Sequence, residues 1–127
     1  MVQRSAQATR VAGNWRILWQ LRNLGKAQLR INSARLPHGQ FKAGEQRFEP
    51  PIILDSGASV EFESAVRCDE PAGLVTENGF VILYANWLNS EWRIYGRIRV
   101  TVNAQAQPET VTESITYQQA GFSGLDQ

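Results

Sequence analysis

The sequence has few of the residues that build metal centres and disulfides. Its 127 residues include one cysteine, Cys68, and one histidine, His38. A single cysteine excludes an internal disulfide and is compatible with a reducing compartment. One cysteine and one histidine are also too few for a zinc site, which needs three or four ligands. The aspartates, at positions 55, 69 and 126, are scattered rather than clustered as a calcium loop requires.

Long apolar stretches and targeting signals are absent as well. No run approaches the roughly 20 apolar residues of a membrane span. The first residues, MVQRSAQATRVAGN, are basic but lack the apolar segment of a signal peptide. We therefore expect a cytoplasmic protein without membrane association, with a flexible N-terminal arm over residues 1–13 and a single domain over residues 14–127. A chain of this length can form a core without a metal, and we expect no cofactor.

Recognisable catalytic patterns are missing too. No glycine-rich phosphate loop occurs, and the stretch GFSGL at 121–125 has leucine where a nucleophile elbow has glycine. Cys68 and His38 are the only thiol–imidazole pair, and nothing in the sequence brings them together. Glu61 and Glu63 share one face of a predicted strand, about 7 Å apart, as in a glycosidase-like pair or an ordinary solvated strand. The sequence predicts a non-enzymatic protein, with a hydrolase using an unrecognised carboxylate site as an alternative.

The densest apolar run lies within residues 79–102, which predict a β-hairpin. Residues 80–85 are apolar at every position, which indicates a strand covered on both faces. Asn89 and Ser90 predict the turn, because their side chains hydrogen-bond readily to nearby backbone. The next strand alternates between an apolar face and a basic, aromatic face. The basic face carries what we call the Arg/Tyr stripe, which consists of Arg93, Tyr95, Arg97 and Arg99.

Five further segments have the alternation or composition of strands, and none has the 3.6-residue period of a long helix. They cover residues 15–22, 28–32, 47–53, 60–67 and 111–119. Pro50 and Pro51 cannot donate ladder hydrogen bonds, so the strand at 47–53 is expected to lie at an edge or to break there. Seven short strands separated by Gly, Pro and Asn predict an all-β, antiparallel sandwich in preference to a small barrel.

Two turn segments resemble those of immunoglobulin-like accessory domains. Residues 21–25, LRNLG, followed by residues 29–31, LRI, resemble the N-x-G turn of those domains. Residues 53–60, ILDSGASV, resemble their L-x-P-G-x-S turn, with Ser56 in place of the proline. The paired cysteines of antibody-type domains are absent. The resemblance implies an immunoglobulin-like β-sandwich of about seven strands and a non-catalytic function, and it assigns no site residue.

The Arg/Tyr stripe is the candidate binding site. Arginine and tyrosine are enriched at protein interfaces, so the stripe predicts binding of a protein partner or of a second copy in a homodimer. The same side chains suit phosphate binding and base stacking, but a net charge of +1 and only two lysines count against a nucleic-acid or polyanion partner. Ordinary cross-strand pairing with Glu61, Glu63 or Glu113 is the remaining interpretation. Arg16 and Arg22 would extend the stripe if their strand lies beside it.

Overall fold

The computed structural model describes residues 1–119, and all the regular secondary structure in these residues is β-strand. The eight strands are β1 (Val2–Ala8), β2 (Asn14–Arg22), β3 (Leu29–His38), β4 (Phe41–Leu54), β5 (Ser59–Arg67), β6 (Val75–Trp87), β7 (Ser90–Val102) and β8 (Pro108–Gln119). They form one antiparallel, strongly curled sheet, a half-barrel, in the order β1-β2-β5-β4-β3-β6-β7-β8. No helical segment of residues 1–119 has the length and apolarity that crossing a lipid bilayer requires.

The predicted all-β, antiparallel class is confirmed, but the strands number eight and belong to one sheet. The additional strand, β1, lies where the sequence predicted a flexible arm. It pairs with β2, and a bulge between Gln3 and Ser5 interrupts the register. That bulge changes which side chains of β1 face inward, and they include Gln3 and Ala6, which pair with the buried Trp19 and Ile17, rather than large apolar residues. Both effects remove the two-residue apolar period by which a strand is recognised.

The concave inner face of the sheet holds the hydrophobic core. The alternation predicted for residues 15–22 is confirmed, since Ile17 and Trp19 of β2 are fully buried. The Trp19 and Phe41 rings meet edge to face, with their centroids 6.2 Å apart. This contact joins β2 to β4 across the interior. Burial of such large side chains supplies most of the favourable free energy of folding.

The hairpin β3–β4 is longer than the sequence predicted. The sequence predicts strands at 28–32 and 47–53, but β3 continues to His38 and β4 begins at Phe41, so only Gly39 and Gln40 form the turn. The predicted break at the prolines is confirmed, because the paired residues of β4 jump from Arg47 to Ile52 and leave out Pro50 and Pro51. The prolines interrupt pairing without ending the strand, because ladder pairs form on both sides of them.

The hairpin β6–β7 turns one residue earlier than predicted. Leu88 and Asn89 form the turn with φ values of 49° and 63°, and Trp87 pairs with Ser90. Two-residue hairpins favour positive φ at both central positions because that geometry matches strand twist. On the inner face, the Trp87 and Trp92 rings pack edge to face at 5.5 Å. Leucine is an unusual residue at positive φ, yet it occupies this turn. The register that places it there is the one in which Trp87 packs against Trp92.

The two turn segments that resemble immunoglobulin-like domains contact each other through Asn23. Its side chain is buried, accepts a hydrogen bond from the Gly25 N–H (3.0 Å) and donates to the carbonyl oxygens of Ala27 and Leu54 (both 2.9 Å). Its own carbonyl accepts from the Gly57 N–H at 2.7 Å. One buried amide therefore joins the β2–β3 turn to the β4–β5 turn. This contact matters because β4 and β5 share a single register pair, Lys42 with Arg67.

Candidate interaction surface

The Arg/Tyr stripe lies on the outer face of β7, beside a strand that is apolar on both faces. The two faces of β6 divide as the alternation predicts. Its inner residues Val81, Leu83 and Ala85 belong to the core, and its outer residues are Phe80, Ile82 and Tyr84. Ile82 points away from the core, yet only 7% of it is exposed. The outer face of β6 therefore carries a small apolar centre of its own, covered by neighbouring side chains.

Two members of the stripe contact the aromatic residues of this centre. The guanidinium carbon of Arg93 lies 5.8 Å from the centroid of the Tyr84 ring, which is cation–π geometry. Tyr95 meets Phe80 edge to face, with centroids 6.3 Å apart and an interplanar angle of 87°. The Tyr95 hydroxyl group also donates to Gln118 Oε1 at 3.2 Å. Tyr95 therefore contacts both neighbouring strands, β6 through Phe80 and β8 through Gln118.

The other two members contact polar groups, chiefly on β8. Arg97 donates from Nε to Ser114 Oγ (3.2 Å) and from Nη1 to Asn78 Oδ1 (3.4 Å). Arg99 Nη1 lies 3.8 Å from a carboxylate oxygen of Glu113. The predicted cross-strand pairing with Glu113 is confirmed, and it involves only this one arginine of the stripe. Glu61 and Glu63 do not take part, because β3, β4 and β6 separate β5 from β7.

The outer face is more basic than the stripe alone. Arg35 of β3 pairs in register with Ile82, which in turn pairs with Tyr95, so Arg35 lies on the same face. Within residues 1–119, no carboxylate lies within 4.0 Å of the guanidinium groups of Arg35, Arg93 or Arg97. Arg35 was not predicted to join this face, because the second predicted strand ends at Asn32. The bulge between Ile31 and Ser33, which reverses the alternation, has no signature in the sequence.

Arg16 and Arg22 do not extend the stripe. Their strand, β2, is separated from β7 by four strands of the sheet. Arg16 instead donates to Gln7 Oε1 of β1 at 3.2 Å. The condition that would have joined them to the stripe is therefore not met.

The residues considered for catalysis lie apart from the stripe. Glu61 and Glu63 are exposed on the outer face of β5, opposite Gln20 and Leu18 of β2. A general acid is usually tuned by burial beside apolar groups, and this open face does not provide such an enclosure. Among residues 1–119, no three side chains of His, Cys, Asp or Glu are grouped so that they could hold a metal ion.

Cys68 and His38 are engaged separately. Burial of Cys68, followed by the charges of Glu70 and Asp69, raises the pKa of its thiol and so disfavours the nucleophilic thiolate. His38 Nδ1 accepts a hydrogen bond from the Gln40 N–H at 3.2 Å. Cys68 is thus a buried thiol and His38 a residue next to the β3–β4 turn, and neither contact joins the two side chains.

A polar groove of about 360 Å³ separates the two end strands of the sheet, β1 and β8. It is lined by residues 3–6 and 107–110. Gln3 Nε2 donates across it to the Pro108 carbonyl at 3.0 Å, whereas Gln3 Oε1 and Thr110 Oγ1 are buried without a hydrogen-bond partner among residues 1–119. This groove was not predicted, because Gln3 falls within the segment that was expected to form a flexible arm.

No protein-family model, curated protein or solved structure matches this chain. The function is therefore inferred from the chemistry of the surface itself.

Proposed function

We propose that this protein is a non-enzymatic interaction module that binds a partner protein through the outer face of β6 and β7. The observation that carries the proposal is the apolar centre formed by Phe80, Ile82 and Tyr84 on the solvent side of the sheet. Around it lie Arg93 and Arg97, which have no carboxylate partner within residues 1–119. An apolar centre with tyrosine and arginine around it is the composition of a protein interface.

The charge of this face favours an acidic partner. Arginine presents a planar set of donors that fits a carboxylate with two parallel hydrogen bonds. A second copy bound by the same face would place arginines against arginines, which opposes a symmetric homodimer there. We therefore favour a different protein that offers aspartate or glutamate side chains around an apolar contact.

The proposal extends to the family and the compartment. The contact between the two turn segments through Asn23 supports a relationship to immunoglobulin-like domains, many of which bind other proteins. The single thiol, Cys68, is buried and unpaired with another cysteine, which supports a reducing, cytoplasmic location.

The test is affinity capture with a matched pair of charge variants. The first variant, Arg93→Glu/Arg97→Glu, reverses the charge of the stripe. The second, Arg16→Glu/Arg22→Glu, makes the same change on the outer face of β2. Each immobilised protein is exposed to lysate of the source organism, with and without nuclease, and captured proteins are then purified and titrated against all three.

We expect a nuclease-resistant protein that binds the wild type and the β2 variant equally and binds the stripe variant at least about tenfold more weakly. Weakening by salt should be moderate, because part of the contact is apolar. Loss of capture after nuclease, with a steep salt dependence, would instead assign the stripe to a polyanion. Equal binding by all three proteins would show that the partner uses another surface.

A further inference from the structure

β8 is the last strand of the sheet, and only part of its free edge is covered. Hydrogen bonds from side chains to backbone carbonyls join residues 1–6 to residues 107–112, and one of them runs from Thr112 Oγ1 to the Met1 carbonyl at 2.8 Å. In the described part of the chain, residues 113–119 have a strand neighbour only on the β7 side. We call residues 113–119 the open edge. Its outward N–H and C=O groups are available to another chain.

The open edge lacks the features that usually prevent strand pairing. Edge strands are commonly protected by proline, lysine or an inward-pointing charge. The open edge contains neither proline nor lysine, and its single charged residue, Glu113, lies at a bulge and contacts Arg99. Ile115 and Tyr117, which lie opposite inner-face residues of β7, are 37% and 66% exposed. An added strand would cover both side chains while pairing with the backbone.

The stripe lies close to the position that an added strand would take. Arg97 donates to Ser114 Oγ and the Tyr95 hydroxyl to Gln118 Oε1, so both side chains extend over β8. Between these two positions the outer face of β8 carries only Thr116, which is short. Neighbouring strands lie about 4.8 Å apart, so a ninth strand would lie about 10 Å from β7. The Arg97 side chain already extends toward it, whereas the Arg93 guanidinium lies over Tyr84 of β6 and would swing across β7 to meet a carboxylate there.

We propose that the open edge accepts an extended segment of a partner protein as a ninth strand, with carboxylates at positions i and i+4 facing Arg97 and Arg93. Four residues of extended strand span about 13 Å on both chains, so the two charges meet in register. Position i+2 faces Tyr95, and the alternate positions are apolar, against Ile115 and Tyr117. The inference rests on the proposed function, since it uses the same stripe, and it specifies how the partner binds.

A second copy of this chain fits the open edge less well. Pairing β8 with β8 of another molecule would place the two basic stripes on one continuous face. The arginines of each copy would then face the outer side chains of the other copy's open edge, Ser114, Thr116 and Gln118, none of which is a carboxylate. Charge complementarity therefore selects a segment that bears acidic residues.

The test uses a defined peptide, Val-Glu-Val-Thr-Val-Glu-Val, capped at both ends and labelled for fluorescence anisotropy. Two isomers each carry three N-methyl groups, one on the last three valines and the other on the two glutamates and the threonine, so each has lost three donors of one edge. A third peptide has lysine in place of glutamate. The protein variants are Arg93→Glu/Arg97→Glu and Tyr117→Lys, with Val111→Lys as the control. Val111 is 53% exposed and lies in the part of β8 beside β1.

We expect one N-methylated isomer, but not the other, to bind about tenfold or more weakly, because an added strand pairs by one edge only. Tyr117→Lys and Arg93→Glu/Arg97→Glu should each weaken binding about tenfold, the lysine peptide should not bind, and Val111→Lys should leave binding unchanged. Circular dichroism and thermal melts establish that each variant folds.

Three results would overturn the inference. If both isomers bind like the parent peptide while the arginine variant does not bind it, the stripe binds carboxylates without strand addition, and the proposed function survives alone. If the peptide fails to bind, or sedimentation shows a dimer that Tyr117→Lys abolishes, the open edge serves another purpose. If the arginine variant binds the peptide normally, the stripe plays no part, and the proposed function also loses its support.

Discussion

Two regions of the sheet's outer face, the β2–β5 face and the β6–β7 face, both carry arginines, yet the surroundings of these arginines differ. On β2 and β5, Arg16 contacts Gln7, Arg67 contacts Asn14 and Asp69, and the row ends in exposed glutamates. On β7, Arg93 lies over Tyr84, beside a buried isoleucine. The difference shows that an arginine row becomes a candidate site through its cross-strand neighbours, which sheet order determines.

The same comparison applies to the apolar residues of the two faces. Leu18 and Ile82 both point away from the core, on β2 and β6 respectively. Leu18 is half-buried and pairs with Glu63, whereas Ile82 is buried and lies between Arg35 and Tyr95. Of these two residues, therefore, only Ile82 on the β6–β7 face is surrounded by enough side chains to exclude water.

The largest expected difference between the faces is in stability. Ile82→Ala should lower the free energy of unfolding by about 3 kcal/mol, because it removes buried methyl and methylene groups and leaves a cavity. Leu18→Ala should cost about 1 kcal/mol, since that side chain is already partly solvated. Urea unfolding followed by tryptophan fluorescence measures both. Equal losses would mean that the apolar centre on β6 is ordinary sheet surface.

A smaller difference is expected in the contacts of single arginines. A double-mutant cycle of Arg93→Ala and Tyr84→Ala should give a favourable coupling of about 0.5–1 kcal/mol, the usual strength of an exposed cation–π contact. The matched cycle of Arg16→Ala and Gln7→Ala should give a coupling near zero, because that hydrogen bond is exposed to water. The cycles are measured by urea unfolding. A stronger coupling at Arg16 would reverse the proposed contrast.

The ion pairs extend the comparison to salt dependence. Arg99 and Glu113 have side-chain exposures of 43% and 27%, whereas Arg47 and Glu49 of β4 have 73% and 80%. We expect a coupling of about 0.5 kcal/mol or less for the first pair and near zero for the second. Raising the salt concentration to about 1 M should remove most of the first coupling. A coupling at Arg99 that salt leaves intact would indicate that packing holds the pair.

Local patterns in the sequence predicted the strands better than their arrangement. The alternation from Trp92 to Val102 and the uniform run at 80–85 are direct consequences of one or two covered faces, and the structure confirms both. The stripe followed from the same alternation. Strand order, by contrast, depends on which strand edges pair. Because β8 lies beside β7 and β5 does not, Glu113 rather than Glu61 pairs with the stripe.

Bulges account for most of what the sequence concealed. A bulge in β1 obscures the first strand, and another in β3 reverses the direction of Arg35, because each adds a residue to one strand alone. The role of Asn23 was also hidden, since its partner Leu54 is 31 residues away. The open edge of β8 could not be inferred either, because the stretch of β8 that lies beside residues 1–6 depends on how the sheet curls.

The smallest expected effect concerns Cys68. The carboxylates of Glu70 and Asp69 lie near this thiol, whereas the stripe carries positive charge. Burial, with the charges of Glu70 and Asp69, raises the pKa of this thiol above its ordinary value of 9.0. Below that value both the folded and unfolded thiols are protonated, and no effect is expected. As pH rises through it, the unfolded thiol ionises first, so the free energy of unfolding falls until the folded thiol ionises too.

Cys68→Ala lacks this titration, so its stability relative to the wild type should improve between about pH 7 and about pH 10. Urea unfolding of both proteins at the two pH values measures the change, in which the fixed cost of the smaller side chain cancels. An unchanged difference would mean that the thiol is solvated. The carboxylates at this end of β5 would then have no influence on it, and the electrostatic contrast between the two faces would rest on the arginines alone.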